Sequence, residues 1–340
     1  MPDVKRLLYA IALISLLLCP SELRAQSTTN KSTVILVRDP AAVSTLTVDT
    51  ARTRQLVQAG ICRLAGTNDL AAAWHQFVAT NDVVGLKVNT TSAPLGGTHL
   101  AVVDAVASGL RQAGLPATNI IVWDRDPGKL QTAGILPSSN YTVVAITPGG
   151  WDKEVFVENK LVGKLIWGDL AFGHEESDLG TRSHLPKLVT KTITKLINIP
   201  ALQDHDPCGL AGCLYNLSLG SVDNTRRFEQ YGQHGDPIIV EVARLPAIRE
   251  KLVLNIMDAL IPGFAGGPAF KPQYSWPFGG IYFSRDPVAI DVLGLEAIEA
   301  QRKVANVPAI ATAASHISTA GLAGLGETNR ANIEVIEVAP

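Results

Sequence analysis

The fold is decided by residues 83–126, which read VVGLKVNTTSAPLGGTHLAVVDAVASGLRQAGLPATNIIVWDRD. Two apolar runs, 83–89 and 120–126, have the length and composition of buried strands. Between them, residues 98–114 have helical spacing, with a Thr cap before the first turn and a Gly after the last. A strand, a helix and a second strand in this order predict a parallel α/β layer.

The same pattern extends in both directions. Strands at 33–39 and 141–147, with helices at 50–66 and 69–78, carry the layer over residues 33–150. Further along, the pattern predicts strands at 190–202, 252–260, 281–286 and 333–338, helices at 209–219, 236–250, 287–306 and 311–320, a hairpin at 154–168, and loops at 172–186 and 263–280. The sequence therefore predicts a compact α/β fold, a mostly parallel sheet flanked by helices, with room for two lobes, 33–150 and 151–340, around a cleft.

The N-terminus has the features of a secretory signal peptide. Lys5 and Arg6 precede the apolar run LLYAIALISLLLC, and the small residue Ala25 follows. The run is too short to span a bilayer comfortably, although an uncleaved anchor is the alternative. We expect a signal peptide over 1–25, cleavage near Ala25, a flexible lead-in over 26–32, and an α/β domain over 33–340 that is exported to the periplasm or the cell exterior without a stable membrane span.

Composition excludes several classes of protein. The net charge is −2 over 340 residues, no Lys/Arg-rich block occurs and aromatic residues are sparse, so no nucleic-acid partner is expected. The sequence contains no GxGxxG after a strand, and no Walker loop, HExxH, CxxC or GxSxG motif. These absences argue against the common nucleotide-binding, zinc-protease and α/β-hydrolase sites.

Three cysteines remain after cleavage, Cys62, Cys208 and Cys213. An odd number in an exported chain does not indicate a disulfide scaffold. Cys208 and Cys213 would pair if Cys208 lay before the helix, whereas within one helix they would point to different faces. Packing as two small hydrophobic side chains is the preferred interpretation.

Polar residues recur where the predicted strands end, and ligands of open α/β sheets bind beyond those ends. The residues concerned are Lys87, Asn89, His99, Asp124, Asp204, His205, Asp258, Ser284, Asp286 and Asp291. Each also has a purely structural interpretation: Asp286 precedes Pro287 as a helix cap would, Asp291 could bond only to backbone, and Lys87 could be a surface lysine.

From these residues we assign roles to be tested. His99, Lys87 and Asp258 are the catalytic candidates, with His99 first for proton transfer. Asn89, Asp124, Asn216 and Ser284 are the substrate-binding candidates. A divalent metal would be held by His205, Asp204, Asp286 and Asp291. His174 and His184, in the polar loop, would either close over the site or only decorate the surface.

Four segments carry a resemblance to a known family: VGLKVN with a downstream THL, then KLINIPALQDHDPCGLAGCLYNLSLGSVDN, then LVLNIMDAL with a later GGP, then SRDPVAIDVLG. In this order, over roughly residues 80–325, they resemble the DUF362 family of uncharacterised, often exported α/β proteins. Family members commonly have Lys where this chain has Gln203 and Tyr215, so a cationic role is not carried over to these two positions. Some relatives carry ferredoxin-like cysteine clusters; this chain has none, and no iron–sulfur cluster is expected.

The sequence predicts an exported, metal-assisted enzyme for a small polar or anionic substrate. A non-catalytic periplasmic protein that binds a metal or a small ligand is the second interpretation. A partner-binding module is the third, and it would expose an apolar patch around Trp276 and Phe278.

Overall fold

The computed structural model describes residues 31–158, 182–225 and 235–340. Residues 31–340 form one compact unit. The predicted signal peptide, nearly all of the lead-in, His174 and most of the predicted hairpin at 154–168 lie outside the described residues. None of the described helices combines the length and apolarity that a bilayer crossing requires.

The strands are β1 (Ser32–Arg38), β2 (Val43–Ser44), β3 (Thr47–Val48), β4 (Val84–Val88), β5 (Ile120–Asp124), β6 (Thr142–Ala145), β7 (Trp151–Glu158), β8 (Arg182–Pro186), β9 (Lys195–Ile199), β10 (Ala201–His205), β11 (Gly209–Ala211), β12 (Leu252–Gly263), β13 (Gly280–Ser284) and β14 (Ile333–Val338). The α-helices are α1 (Thr50–Ala65), α2 (Leu70–Trp74), α3 (Leu100–Gln112), α4 (Pro127–Thr132), α5 (Cys213–Leu217), α6 (Ile238–Ala243), α7 (Pro246–Arg249), α8 (Pro287–Val304) and α9 (His316–Leu322).

One large sheet organises the fold, in the order β14-β1-β13-β12-β9-β4-β5-β6, with β10 paired to β12 and β11 paired to β10. The pairs β4·β5, β5·β6, β4·β9, β9·β12, β10·β12 and β1·β14 are parallel, and β13 is antiparallel to both of its neighbours. The predicted fold class, a mostly parallel α/β sheet, is confirmed. Strands from both halves of the chain share this sheet.

Helices cover both faces of the sheet. On one face α1, α2 and α3 bury apolar side chains such as Leu56, Trp74 and Val103 against β4. On the other face α5, α6 and α8 pack with Trp123 and Leu196 of the sheet. Because both faces are covered, the central strands are buried throughout, which explains their nearly continuous apolar sequence.

Local sequence signals set the ends of the long helices. Asp49 caps α1 by accepting a hydrogen bond from the Arg52 N–H at 2.9 Å, and Gly66 ends it in the left-handed conformation at φ 68°. Asp286 caps α8 in the same way, with Pro287 in its first turn. These signals lie in the sequence itself, and the predicted limits of both helices differ from the observed ones by no more than two residues.

Two predicted helices, at 69–78 and 311–320, are observed with other limits, as α2 (Leu70–Trp74) and α9 (His316–Leu322). Two more are not single helices in the structure. The predicted helix at 209–219 is a strand, β11, followed by the five-residue α5, because Gly209 lies at φ 74° and β11 pairs with β10. The predicted helix at 236–250 is divided into α6 and α7. Leu245 precedes Pro246 and adopts ψ 133°, since a proline disfavours the helical conformation of the residue before it.

The predicted polar loop at 172–186 ends in a strand. Residues 182–186 form β8, which pairs with β7. His184 is buried there, and its backbone N–H and its Nδ1 lie 2.8 and 2.9 Å from the carboxylate oxygens of Asp223. The prediction that His184 lies in a polar loop, either closing over the site or on the surface, is therefore wrong.

Candidate functional site

The candidate site lies where the strand order of the sheet reverses, at β4. The chain leaves β4 toward β5 and β6 on one side, while β9 pairs with β4 on the other. In open α/β sheets the crevice beyond the carboxyl ends of such strands is the usual ligand site. The polar residues that follow β4 and β5 are therefore brought together by topology.

Lys87 is the central residue of this site. Its side chain is 1% exposed, and Nζ donates to the Val88 carbonyl at 2.7 Å, to Asp124 Oδ1 at 3.0 Å and to Asn216 Oδ1 at 2.8 Å. These three acceptors match the three N–H groups of an ammonium ion. Lys87 is thus no surface lysine.

Asp124, at the end of β5, is held from several directions. Besides Lys87, its oxygens accept from the Thr90 N–H at 2.9 Å, the Thr90 hydroxyl at 2.6 Å and the Arg125 N–H at 2.7 Å. These donors fix the position of the carboxylate between the two strand ends. Asp124 therefore joins the ends of β4 and β5 and supplies the counter-charge for Lys87.

Burial and charge oppose each other at Lys87. Burial lowers the pKa of Lys87 below its usual value, and the attraction of Asp124 offsets only part of that effect. The result is an ammonium group that releases its proton more readily than an exposed lysine.

A cavity of about 230 Å³ opens beside Lys87. We call it the Lys87 cavity, and its lining residues are Lys87, Asn89, Thr90, Thr91, Asp124, Arg125, Asp126, Lys129, Tyr215, Asn216 and Gly220. It contains one catalytic candidate, Lys87, and three of the substrate-binding candidates, Asn89, Asp124 and Asn216. Its volume suits a small molecule rather than a dinucleotide.

A short helix on the opposite side of the crevice supplies Asn216. This helix, α5, is held at its N-terminus by Asp291 of α8, which accepts from the Cys213 N–H at 2.6 Å and the Leu214 N–H at 2.9 Å. Asn216 is 2% exposed, and its Nδ2 donates to Asn198 Oδ1 at 2.8 Å. The amide nitrogen is thus held by Asn198, while the amide oxygen accepts from Lys87.

Two other catalytic candidates form a separate pair. His99 Nδ1 lies 2.8 Å from Asp258 Oδ2, and the same oxygen accepts from the His99 N–H at 2.8 Å. Burial lowers the pKa of His99, but the charge and hydrogen bond of Asp258 outweigh burial, so that the pKa is raised. His99 Nε2 has no hydrogen-bond partner among the described residues. His99 and Asp258 are not among the residues that line the Lys87 cavity.

Two of the four predicted metal ligands, Asp204 and His205, end β10. Asp204 accepts from the Gly267 N–H at 3.0 and 3.1 Å, and burial raises its pKa. The ring of His205 packs on Tyr215 with the centroids 4.6 Å apart. Tyr215 lines the Lys87 cavity, so His205 lies behind one of its walls.

The other two predicted ligands have structural partners. Asp286 caps α8 through the Ala289 N–H and also accepts from the Ser32 hydroxyl at 2.7 Å. Asp291 caps α5. Within the described ranges no group of three or more His, Cys, Asp or Glu side chains is placed to hold a metal. The four residues are not brought to one point, and a metal at His205 stays a prediction.

The remaining substrate-binding candidate, Ser284, lies away from the Lys87 cavity. Its hydroxyl donates to the Thr33 carbonyl at 2.7 Å and accepts from the Asp286 N–H at 3.0 Å. It thus joins β13 to β1 and to the start of α8. Cys208 and Cys213 are both buried in the hydrophobic core, as the preferred interpretation of the sequence has it.

Five contributing residues were not singled out from the sequence: Thr90, Arg125, Lys129, Asn198 and Asn255. Thr90 and Arg125 directly follow residues that were, so proximity to Asn89 and Asp124 was an available signal. Asn198 and Asn255 each interrupt an apolar strand, in KLINI and LVLNI. A buried polar residue must find a partner, and that requirement was the signal.

Comparison with known proteins places the chain in a family. The family model described as a domain of unknown function, DUF362, matches residues 84–296, more than half of the chain. The chain belongs to the DUF362 family. A crystal structure of a protein from Thermotoga maritima is similar to this DUF362 protein at 13% identity, over 76% of this chain and 59% of that one, with a TM-score of 0.42. No curated protein matches this DUF362 protein in sequence.

Proposed function

We propose that this DUF362 protein is an exported enzyme that acts on a small anionic molecule held in the Lys87 cavity. The observation that carries the proposal is Lys87 itself, a buried lysine with a lowered pKa in the wall of a cavity at the carboxyl ends of the strands. Perturbed titratable groups in clefts are typical of functional sites.

The hydrogen-bond inventory of the cavity favours an anion. Both acidic side chains are engaged: Asp124 by Lys87, Thr90 and Arg125, and Asp126 by capping α4 through Oδ1. Three of the four carboxylate oxygens in the wall are therefore bonded within the protein, so a ligand rich in hydrogen-bond acceptors fits this wall better than one rich in donors.

Donor groups, by contrast, remain for a ligand. The Lys129 ammonium, although it lines the cavity, makes no ion pair with any described residue. Arg125 uses Nη1 on the carbonyls of Leu219 and Val222 and on the Thr225 hydroxyl, whereas its Nε and Nη2 make no bond within the described ranges. A carboxylate or a phosphate is the ligand that these cations would bind.

Lys87 would serve as the proton donor in this site. Its N–H bond breaks as an O–H bond forms on a substrate oxygen that is gaining negative charge, and the electron pair stays on the amine nitrogen. The lowered pKa reduces the free-energy cost of that step at neutral pH. Asp124 and Asn216 hold the ammonium in place until the transfer.

A second candidate function, a non-catalytic binding protein, is favoured by one observation. All three Lys87 protons are bonded within the protein, so the ammonium could serve only as a fixed positive charge. In that case an anion would be bound beside Lys87 without being converted.

The first experiment asks whether the cavity binds anions. The chain from Gln26 onward is titrated with acetate, citrate and inorganic phosphate while the thermal midpoint of unfolding is recorded. We expect at least one probe to raise the midpoint, and Lys129→Gln to weaken its apparent affinity about fivefold. Lys303→Gln, at an exposed lysine of α8, is the matched control. No stabilising probe, or equal affinity in the two variants, would overturn the proposal.

The second experiment separates the two candidates. The protein is incubated with small carboxylates and phosphate esters, and ¹H NMR follows their conversion in the wild type and in Lys87→Met. Conversion that Lys87→Met abolishes supports the enzyme. Binding of these compounds without conversion supports the binding protein. Elemental analysis of the same preparation, made without chelator and beside His205→Ala, tests the predicted metal.

A further inference from the structure

A row of buried polar side chains crosses the sheet beneath the Lys87 cavity. In the strand register Lys87 of β4 lies opposite Asn198 of β9, Asn198 opposite Asn255 of β12, and Asn255 opposite Ser284 of β13. Asn198 and Asn255 are 0% exposed. Register partners on neighbouring strands point to the same face, so these side chains form a continuous line.

The hydrogen bonds along this row run in one direction. Asn216 Nδ2 donates to Asn198 Oδ1 at 2.8 Å, and Asn198 Nδ2 donates to Asn255 Oδ1 at 2.9 Å. Asn255 Nδ2 donates to the carbonyl oxygens of Ser284 and Arg285, each at 3.4 Å. The row therefore ends on backbone groups that can only accept.

The amides of Asn216 and Asn198 each have a second partner outside the row. Asn216 Nδ2 donates to the Lys87 carbonyl at 3.3 Å, and Asn198 Nδ2 donates to the Cys213 carbonyl at 3.1 Å. Carbonyl oxygens cannot donate, so turning any one amide over would place two acceptors, or two donors, against each other. The orientation of all three amides is thereby determined, and it places Asn216 Oδ1 toward Lys87 Nζ.

We propose that Asn198 and Asn255 are positioning residues for Lys87. Through Asn216 they hold an amide oxygen against the ammonium and keep Lys87 protonated despite its burial, and this role rests on the proposed function of Lys87 as the proton donor. The sheet interior thus takes part in the site, since the protonation state of a cavity residue is set two strands away from it.

The test is the titration of Lys87 in the ligand-free protein, with ¹³C-labelled lysine side chains observed by NMR and the signal assigned with Lys87→Arg. We expect Asn198→Leu and Asn255→Leu each to lower the pKa of Lys87 by about one unit, because the amide oxygen is no longer held against the ammonium. Thr53→Val, a buried polar-to-apolar change on α1, is the matched control. An unchanged Lys87 pKa in both Asn variants would overturn the proposal.

A second measurement needs no variant of the row. The side-chain amide ¹⁵N signals of Asn216, Asn198 and Asn255 are followed in the wild type as pH is raised through the Lys87 titration. We expect all three to shift with the Lys87 midpoint, in decreasing amount along the row. Signals of Asn198 and Asn255 that do not respond would overturn the proposal. Both measurements are made without substrate, so their outcome does not depend on whether the cavity binds anions.

Discussion

At the scale of single residues, the buried pair of Lys87 and Asp124 carries the chemistry of the site. Removing one partner of a buried ion pair leaves the other charge uncompensated, and the loss then exceeds the net contribution of the pair. Exposed pairs behave differently, because water replaces the missing partner. The chain contains both kinds, which allows a direct comparison.

We expect Asp124→Asn to lower the free energy of unfolding by about 3 kcal/mol at pH 7, because Lys87 loses its counter-charge. Urea unfolding followed by far-UV circular dichroism measures this. The control is Asp39→Asn, which breaks the Arg52–Asp39 pair at the surface, where the two side chains are 47% and 14% exposed. Its effect should be much smaller. Equal losses in the two variants would show that burial does not distinguish these pairs.

A second residue-scale prediction concerns Asp291. Burial raises its pKa from 3.8 to about 7, even though the Leu214 and Cys213 N–H groups favour its charged form. Between these two values the folded state binds more protons than the unfolded state. The free energy of unfolding should therefore fall as pH rises through this window, by up to about 4 kcal/mol.

Asp291→Asn removes this titration, so the variant should lose less stability than the wild type between pH 4 and pH 8. Urea unfolding at intervals of half a pH unit gives both curves, and their difference isolates Asp291 from other titrating groups. Parallel curves would show that the carboxyl group titrates at an ordinary pKa in the folded protein.

Whether the sequence predicts the role of such a residue depends on whether its partners are set by local sequence or by tertiary contacts. Lys87, Asn89 and Asp124 follow from strand ends that must meet at one edge of a parallel sheet. Asn198 and Asn255 do not, because their partners are set by strand register and by the approach of α5, neither of which a sequence pattern contains. The role of Asp291 could not be predicted either, because it depends on the contact between α8 and α5.

At the scale of elements, the five-residue α5 depends on tertiary contacts for its formation. A helix this short is not stable alone. Its first N–H groups donate to the carboxylate of Asp291, which belongs to α8. The pattern at 209–219 predicts a longer helix, because it is apolar and has small residues. The left-handed conformation of Gly209 and the pairing of β11 with β10 prevent the helix from beginning before Cys213.

Gly212→Ala tests whether α5 depends on the contact between its N-terminus and Asp291. A Cβ atom there would collide with Asp291 Oδ1, so either the carboxylate or the first turn of α5 must shift. We expect a loss of about 1–3 kcal/mol in the free energy of unfolding. We also expect a change in the Lys87 titration, since α5 carries Asn216. Gly149→Ala, where a Cβ meets nothing within 4 Å, is the control. A Gly212 variant as stable as this control would mean that α5 does not need Asp291.

At the scale of the whole molecule, the sheet unites the two halves of the chain. β1 has its neighbours, β13 and β14, among the last strands, and β9 separates β4 from β12. The alternation of strands and helices predicts the first layer well, but it does not reveal that β1 pairs far from β4. Pairings between distant segments are set by the packing of the complete sheet.

This topology predicts that residues 33–150 do not fold alone. In that fragment β1 would lose both neighbours, and β4 would lose its pairing with β9 and expose the strand that carries Lys87. We expect a fragment of residues 33–150 to give a disordered circular dichroism spectrum and to unfold without a cooperative transition. The chain from Gln26 onward should unfold in a single transition, seen alike by tryptophan fluorescence and circular dichroism. A cooperatively folded fragment would instead show that residues 33–150 are an independent lobe, and the crevice between β4 and β9 would then be a boundary between lobes rather than a fixed part of one sheet.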